Sequence, residues 1–136
     1  MKDIISCINE SSDVHVNMFC ILKPSFLKHK NEFIKMLEDN GWAIQQYRTK
    51  NITLSEACEL YKMHEGKDFY DDLTKYMSSS KSFIVAVYKE CKNPVHEMDL
   101  LKKRFRKEFG IDDMRNGMHS SDSKSNIQRE YNIFFK

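Results

Sequence analysis

The stretch Ser82-Phe83-Ile84-Val85-Ala86-Val87-Tyr88 determines the fold class of this chain. It is a continuous, partly β-branched apolar run, and such runs are typical of a strand that is buried on both faces. The polar residues 78–81 precede it and separate it from a helical pattern. We therefore predict a central strand over residues 82–88, around which the rest of the domain is arranged.

The residues before this run predict two further strands and three helices. Lys23-Pro24 ends the first strand, because proline cannot continue a central ladder and suits a helix start. Thr53 and Glu56 form a capping-box pattern at the start of another helix. The predicted strands are 17–22 and 42–50, and the predicted helices are 25–40, 53–64 and 68–77.

The residues after this run predict two helices and a final strand. Pro94 opens a long amphipathic helix that ends at Gly110, with apolar residues on one face and basic residues around the rest. A short loop, a helix over 123–130 and an apolar strand over 131–135 complete the chain. This order of elements indicates an α/β sandwich, with one sheet and helices packed on it.

Length and charge restrict the class of protein. With 136 residues, 40% apolar residues and 12% aromatic residues, the chain can form one compact domain. We place this domain at 16–136 and treat the polar residues 1–15 as an extension of uncertain order. The net charge of +2 comes from 22 basic and 20 acidic side chains, which is too balanced for a general nucleic-acid-binding surface.

Apolar runs and cysteine spacing give two further expectations. No apolar run approaches the length of about 20 residues that a membrane-spanning helix needs, so we expect a soluble, intracellular protein. The four cysteines lie far apart without a Cys-x-x-Cys pair, which argues against a zinc site and a disulfide framework. We expect reduced thiols.

Four blocks of sequence occur in an order that is similar to one known family. The blocks are Phe19-Cys20-Ile21-Leu22-Lys23-Pro24, Tyr61 with Phe69 eight residues later, Leu73-Thr74-Lys75-Tyr76-Met77, and Arg115-Asn116-Gly117-Met118-His119-Ser120-Ser121-Asp122-Ser123. With Glu130 placed after the last block, the chain resembles the nucleoside diphosphate kinases over residues 17–135. Each block alone is a weak signal, but four blocks in order at compatible spacings are specific.

The resemblance implies a fold and an activity. The fold is a ferredoxin-like α/β domain with a four-stranded antiparallel sheet covered by helices. The activity passes the γ-phosphoryl group of a nucleoside triphosphate to a histidine and then to a nucleoside diphosphate. Nucleoside di- and triphosphates are thus the implied small-molecule partners, and Mg²⁺ bound to the nucleotide is the implied cofactor. No metal site made of protein groups is expected.

The resemblance also implies the site residues. His119 occupies the position of the phosphohistidine, Glu130 that of the carboxylate that orients the imidazole, and Lys23 that of a catalytic cation. The positions that match nucleotide contacts are Lys23, Tyr61, His64, Phe69, Arg106 and Asn116. The aromatic ring at Phe69 would stack on the base, a contact that any base can make.

Read one at a time, these residues have ordinary alternatives. His119 alone could be a surface histidine, and Tyr61 and Phe69 could be core aromatics. Arg106 and Glu130 could be solvated helix charges. Only the ordered set favours the functional interpretation.

The chain departs from the family pattern before the histidine motif. The family has a loop there with an arginine and a threonine of the phosphate clamp, whereas this chain is shorter and reads as one helix. Lys103 or Arg104 are candidates to replace the missing donors. Ser120 replaces a glycine and would be strained if that position needs a positive φ. Losing two charge-assisted donors would lower the rate by about 10²–10⁴-fold.

These departures support an alternative function. The segments 76–79 and 109–116 look similar to the ciliary and flagellar branch of the family. The alternative is a weak or inactive structural or nucleotide-sensing module, with protein partners in the axoneme. The missing loop is a subunit contact in oligomeric members, so a homo-oligomer is possible but a hexamer is doubtful. We expect no nucleic-acid or membrane partner, and a cytoplasmic or axonemal location.

Overall fold

A computed structural model describes residues 5–6 and 15–135. The strands are β1 (Ile5–Ser6), β2 (His15–Val16), β3 (Met18–Leu22), β4 (Ala43–Asn51), β5 (Lys81–Tyr88) and β6 (Met118–Ser120). The α-helices are α1 (Lys30–Asp39), α2 (Leu54–Leu60), α3 (Tyr70–Met77), α4 (Pro94–Phe109) and α5 (Lys124–Phe135). Most of the predicted extension 1–15 lies outside the described residues.

Four strands form one antiparallel sheet in the order β4-β5-β3-β6. The two short strands β1 and β2 pair with each other in a separate antiparallel pair. The predicted central strand is β5, which lies between β4 and β3, with Leu22 opposite Phe83. The predicted α/β fold with a four-stranded antiparallel sheet and helices is therefore confirmed.

Helices cover both faces of this sheet. On one face, the Phe33 ring of α1 meets Phe83 of β5 edge-on at 6.2 Å and Phe105 of α4 at 5.7 Å. On the other face, Phe19 of β3 stacks on Phe134 of α5 at 5.7 Å. Because both faces are covered, β5 is buried from Ser82 to Val87, and this explains its continuous apolar sequence.

The prediction of a final strand over 131–135 is wrong, because these residues form the last turns of α5. Ile127, Tyr131 and Phe134 are buried, and their spacing of four and three residues places them on one face of a helix. The fourth strand of the sheet is instead β6, in the stretch that was predicted as loop. Three residues are too few for a strand pattern to show in the sequence.

Helix ends agree with the predicted capping signals. The Thr53 hydroxyl accepts a hydrogen bond from the Glu56 backbone N–H at 3.0 Å, and the Glu56 carboxylate accepts one from the Thr53 N–H at 2.9 Å. The helix predicted over 53–64 is divided, since α2 ends at Leu60 and a 3₁₀ turn follows at Lys62–His64. The long helix α4 is continuous, as predicted.

Two other sequence expectations concern cysteines and membrane spans. Cys20, Cys58 and Cys91 are free thiols, as predicted, and Cys20 is buried, whereas Cys7 lies outside the described residues. Within the described ranges, no helix has both the length and the apolar character that crossing a lipid bilayer requires.

Candidate active site

One cavity of about 510 Å³ opens beside β6 and contains every site residue that the sequence predicts. Those residues are Lys23, Tyr61, His64, Phe69, Arg106, Asn116, His119 and Glu130. They come from four parts of the fold: the end of β3, the segment between α2 and α3, helix α4 with the loop after it, and β6 with α5. The fold therefore brings together residues that are far apart in the sequence.

His119 is held by the sheet and paired with a buried carboxylate. It lies on β6 opposite Ile21 of β3. Its Nε2 atom is 2.8 Å from Oε1 of Glu130, and the two side chains are 15% and 3% exposed. With Nε2–H donating to this carboxylate, Nδ1 is the nitrogen that keeps its lone pair.

Glu130 is itself positioned by neighbouring groups. The Ser121 hydroxyl donates to the same Oε1 atom at 2.7 Å, a contact that the sequence interpretation did not assign. The Arg129 Nη2 atom lies 3.6 Å from Oε2. A buried carboxylate is stable only when it is hydrogen-bonded and near a positive charge, and Glu130 meets both conditions.

Two predicted cations lie in the cavity wall. Lys23 is 4% exposed, and its Nζ donates to the Met114 carbonyl at 3.4 Å. Burial, with the nearby charges of Arg106 and Lys102, lowers the pKa of Lys23 to about 7. Arg106 donates from Nε and Nη2 to the Met118 carbonyl at 3.1 and 3.0 Å, which fixes its guanidinium beside β6.

Aromatic rings form another wall. The Tyr61 ring meets the His119 ring edge-on at 5.7 Å. The His64 ring lies between two others, with its centroid 6.3 Å from that of Tyr61 and 5.3 Å from that of Phe69. Phe69 is 44% exposed, so part of its ring is accessible to a planar ligand.

Two buried polar atoms in this cavity have no hydrogen-bond partner among the described residues. They are the Tyr61 hydroxyl and Asn116 Oδ1. The Asn116 amide nitrogen is occupied, since Nδ2 donates to the Asp113 carbonyl at 2.8 Å. Buried polar atoms rarely remain unpaired, so these two atoms call for a polar partner, which a ligand or an ordered water can supply.

The structure answers two points that the departures from the family pattern left open. Lys103 and Arg104 are exposed and do not line the cavity, whereas Lys102 does. Ser120 lies in the extended strand β6 and is not strained, because the one non-glycine residue with positive φ in the described part of the chain is Ser25. Lys102 could have been found from the sequence, since it lies four residues before Arg106 and shares its helix face.

The comparisons with known proteins agree with this geometry. The sequence model of one family, described as "Nucleoside diphosphate kinase", matches residues 17–136. The chain belongs to the nucleoside diphosphate kinase family.

A relative from Thermosipho africanus is 34% identical over 129 residues, with 86% of each chain covered. One from Fervidobacterium nodosum is 36% identical over 129 residues, again with 86% of each covered. Both relatives are named nucleoside diphosphate kinase.

Solved structures of nucleoside diphosphate kinases share the fold. The enzyme from Aquifex aeolicus superimposes with a TM-score of 0.77 at 22% identity, covering 88% of this chain and 94% of that one. The enzyme from Halobacterium salinarum, solved in complex with CDP, gives 0.78 at 22% identity, covering 88% and 86%. At this level of identity the likeness concerns the fold.

The comparison with relatives also bears on the length of the chain. The alignment with the Thermosipho africanus relative has 129 positions but covers only 86% of this 136-residue chain. Some of its positions are therefore gaps in this chain. The relative therefore has residues with no counterpart here.

Proposed function

We propose that this chain exchanges phosphoryl groups between nucleoside triphosphates and nucleoside diphosphates through a phosphohistidine at His119. The observation that carries the proposal is the 2.8 Å contact between His119 and Glu130 in a cavity that also contains Lys23 and Arg106. Membership of the nucleoside diphosphate kinase family supports it. The proposed catalytic residues are His119, Glu130 and Lys23.

The proposed chemistry has two halves that balance without water. In the first, Nδ1 of His119 attacks the γ-phosphorus, a P–N bond forms, and the bond to the β–γ bridging oxygen breaks. The nucleoside diphosphate leaves with the electron pair of that bond. In the second, a terminal phosphate oxygen of another nucleoside diphosphate attacks the same phosphorus, and the P–N bond breaks. The hydrogen bond from Nε2–H to Glu130 stabilises the positive imidazole that forms as Nδ1 attacks.

Positive groups in the cavity would act on the moving phosphoryl group. Its transition state spreads negative charge over the equatorial oxygens, so catalysis depends mainly on positioning and on charge stabilisation. Lys23 and Arg106 supply that charge. The Tyr61 hydroxyl and Asn116 Oδ1 have no partner in the described structure. We propose that the hydroxyl donates to a phosphate oxygen and that Oδ1 accepts from a ribose hydroxyl.

The proposed base site is the exposed part of the Phe69 ring, with His64 beside it. Stacking on an aromatic ring does not depend on the hydrogen-bond pattern of the base. We therefore expect purine and pyrimidine nucleotides to be accepted alike.

Mg²⁺ that enters with the nucleotide is the proposed cofactor. Among the described residues, no group of three His, Cys, Asp or Glu side chains is arranged to hold a metal, but Asp113 and Asp122 line the cavity. Mg²⁺ is commonly bound by one or two carboxylates together with substrate phosphates, so this donor set fits. When bound, the ion would neutralise charge on the β- and γ-phosphate oxygens.

The test is to incubate the protein with ATP labelled in the γ-phosphate and Mg²⁺, then add GDP. We expect acid-labile, base-stable label on the protein, its transfer to GTP, and neither in His119→Ala. His15→Ala is the matched control, because His15 is an exposed histidine on β2. Label that persists in His119→Ala, or no label on the native chain at saturating ATP, would contradict the proposal.

The second candidate is a structural or nucleotide-sensing module with weak or no phosphoryl transfer. One observation favours it: α4 is continuous where the family pattern has the loop with the second clamp arginine. In this case the protein would bind nucleotide and give little or no label, and its proposed location is the axoneme rather than the cytoplasm. We also propose an assembly smaller than a hexamer, because the missing loop makes subunit contacts in oligomeric members. Sedimentation velocity would measure this.

A further inference from the structure

Lys102 lies in the wall of the nucleotide cavity although it belongs to a helix with many solvated charges. It is one turn before Arg106 on α4, so the two side chains leave the same face of the helix. Its side chain is 15% exposed, whereas that of the adjacent Lys103 is 71% exposed. Lys102 therefore contributes its charge to the cavity, together with Lys23 and Arg106.

A second cavity of about 360 Å³ adjoins the first. Lys102, Ser120 and Asp122 line both cavities. The Lys102 side chain thus lies between the two spaces. It has room to move toward a ligand in the larger cavity.

The charge of Lys102 is only weakly balanced by the protein. Its Nζ lies 3.5 Å from Oδ1 of Asp99. The other oxygen of the same carboxylate is closer to Lys103, at 3.0 Å. One carboxylate cannot neutralise two lysines, so positive charge remains at the cavity wall.

The cavity also contains the carboxylates of Asp113, Asp122 and Glu130. Asp113 and Asp122 are the proposed partners of Mg²⁺, whose charge would offset theirs in the nucleotide complex. Glu130 is already engaged by His119 and Ser121. Burial is the main cause of the lowered pKa of Lys23, and the positive charges of Arg106 and Lys102 lower it further. Cations that are concentrated in a partly buried site repel one another unless an anion lies among them. A polyphosphate is an anion of the right chemistry.

We infer that Lys102 binds the phosphates of the nucleotide, as a third cation that takes the place of donors normally supplied by the missing loop. On nucleotide binding, its Nζ gives up the long contact with Asp99 and donates to a phosphate oxygen. Asp99 keeps Lys103 as its partner. This inference rests on the proposed function, because it assigns the ligand of the same cavity.

The experiment measures the affinity of Mg·ADP and of adenosine for purified native protein, Lys102→Met and Lys102→Arg. Lys103→Met is the matched control, because it removes the same charge from the same helix and the same Asp99 partner. For Lys102→Met we expect an affinity for ADP about 10- to 100-fold weaker, with adenosine affinity unchanged, because adenosine has no phosphate. Lys102→Arg keeps the charge and retains most of the affinity.

Three results would overturn the inference. An equal loss of ADP affinity in Lys102→Met and Lys103→Met would mean that only overall charge matters. An equal loss for ADP and adenosine would mean that Lys102 supports the structure of the pocket. Native ADP affinity in Lys102→Met would mean that the side chain does not contact phosphate. Circular dichroism of each variant checks the fold.

The same preparations separate this inference from the proposed function. If the native protein takes up no label from ATP while Lys102→Met still loses ADP affinity selectively, phosphoryl transfer fails and the assignment of Lys102 stands. If the native protein transfers label and Lys102→Met binds ADP normally, the proposed phosphoryl transfer stands and the assignment of Lys102 fails.

Discussion

At the scale of single residues, Lys23 is the most unusual group of the site. Its ammonium is buried beside two other cations, and the pKa falls from the ordinary 10.5 to about 7. Burial is the largest cause of this shift, followed by the charges of Arg106 and Lys102. A bound polyphosphate would oppose the shift, because an opposite charge stabilises the protonated lysine. Lys23 is therefore a group whose protonation depends on the ligand.

Nucleotide binding should accordingly take up a proton at Lys23 above neutral pH. At pH 8 the free protein has Lys23 largely neutral and the complex has it charged, so binding takes up close to one proton per site. At pH 6 the lysine is charged in both states, and this uptake disappears. Calorimetric titration of ADP in buffers of different ionisation enthalpy measures the number of protons.

The control is Lys23→Gln, which removes the titrating group. Its ADP complex should form with no extra proton uptake at pH 8 compared with pH 6. If the native protein and the variant take up the same number of protons at pH 8, Lys23 is not the responsive group.

At the scale of the elements, the loop before β6 determines where Asn116 and His119 lie. Gly117 has a φ of +107°, and a Cβ there would be 2.8 Å from the Phe105 ring. The Gly117 carbonyl accepts a hydrogen bond from the Lys23 backbone N–H at 2.9 Å. The loop is thus tied to both α4 and the end of β3.

Gly117→Ala should destabilise the fold by about 2–4 kcal/mol, because it combines backbone strain with a steric clash in the core. Gly66→Ala is the matched control, since its φ is +91° with no atom near the added Cβ. We expect Gly66→Ala to lower the free energy of unfolding by about 1 kcal/mol, because it adds backbone strain without a clash. Urea unfolding measures both, and equal losses would show that the Phe105 contact is unimportant.

The elements also show how much of the fold the sequence could predict. The bounds of β5 and α4 were predicted nearly to the residue. A long run of residues gives a clear hydrophobic pattern, and Pro94 marks the start of the helix. The end of α5 was assigned to a strand, since 131–135 is short and rich in aromatics, and only its burial pattern shows the helical period. β6 forms through pairing with β3, and pairing partners are not visible in local sequence.

The site was predicted by resemblance rather than by local pattern. His119 and Glu130 are eleven residues apart on different elements, and nothing in their immediate sequence indicates that they touch. Ser121 and Lys102 were not assigned, because their roles depend on contacts that only the fold creates. The spacing of Lys102 and Arg106 was the one available local signal.

At the scale of the whole molecule, the site costs the protein stability. With Lys23 at a pKa of about 7 in the folded state and 10.5 otherwise, the unfolded chain binds more protons between these values. The contribution of Lys23 to stability therefore rises with pH across this window. Below pH 7 the full cost of burying the charge applies, and above 10.5 no further change is expected.

Lys23→Met should therefore stabilise the nucleotide-free protein most at low pH. We expect the midpoint of thermal unfolding to rise by about 5 °C at pH 6, and by less as the pH approaches 10. Scanning calorimetry of both proteins over this range tests it, with Lys103→Met as an exposed control. A difference between the two proteins that does not change with pH would contradict the assigned cause.

The continuous helix α4 has a consequence for which nucleotides can bind. Residues four apart on a helix are separated by about 6 Å along its axis, and the backbone hydrogen bonds fix that distance between the Cα atoms of Lys102 and Arg106. A chain of two or three phosphates can reach both side chains at once, whereas a single phosphate reaches one. We therefore expect nucleoside monophosphates, which can contact only one of these two side chains, to bind more weakly than nucleoside diphosphates.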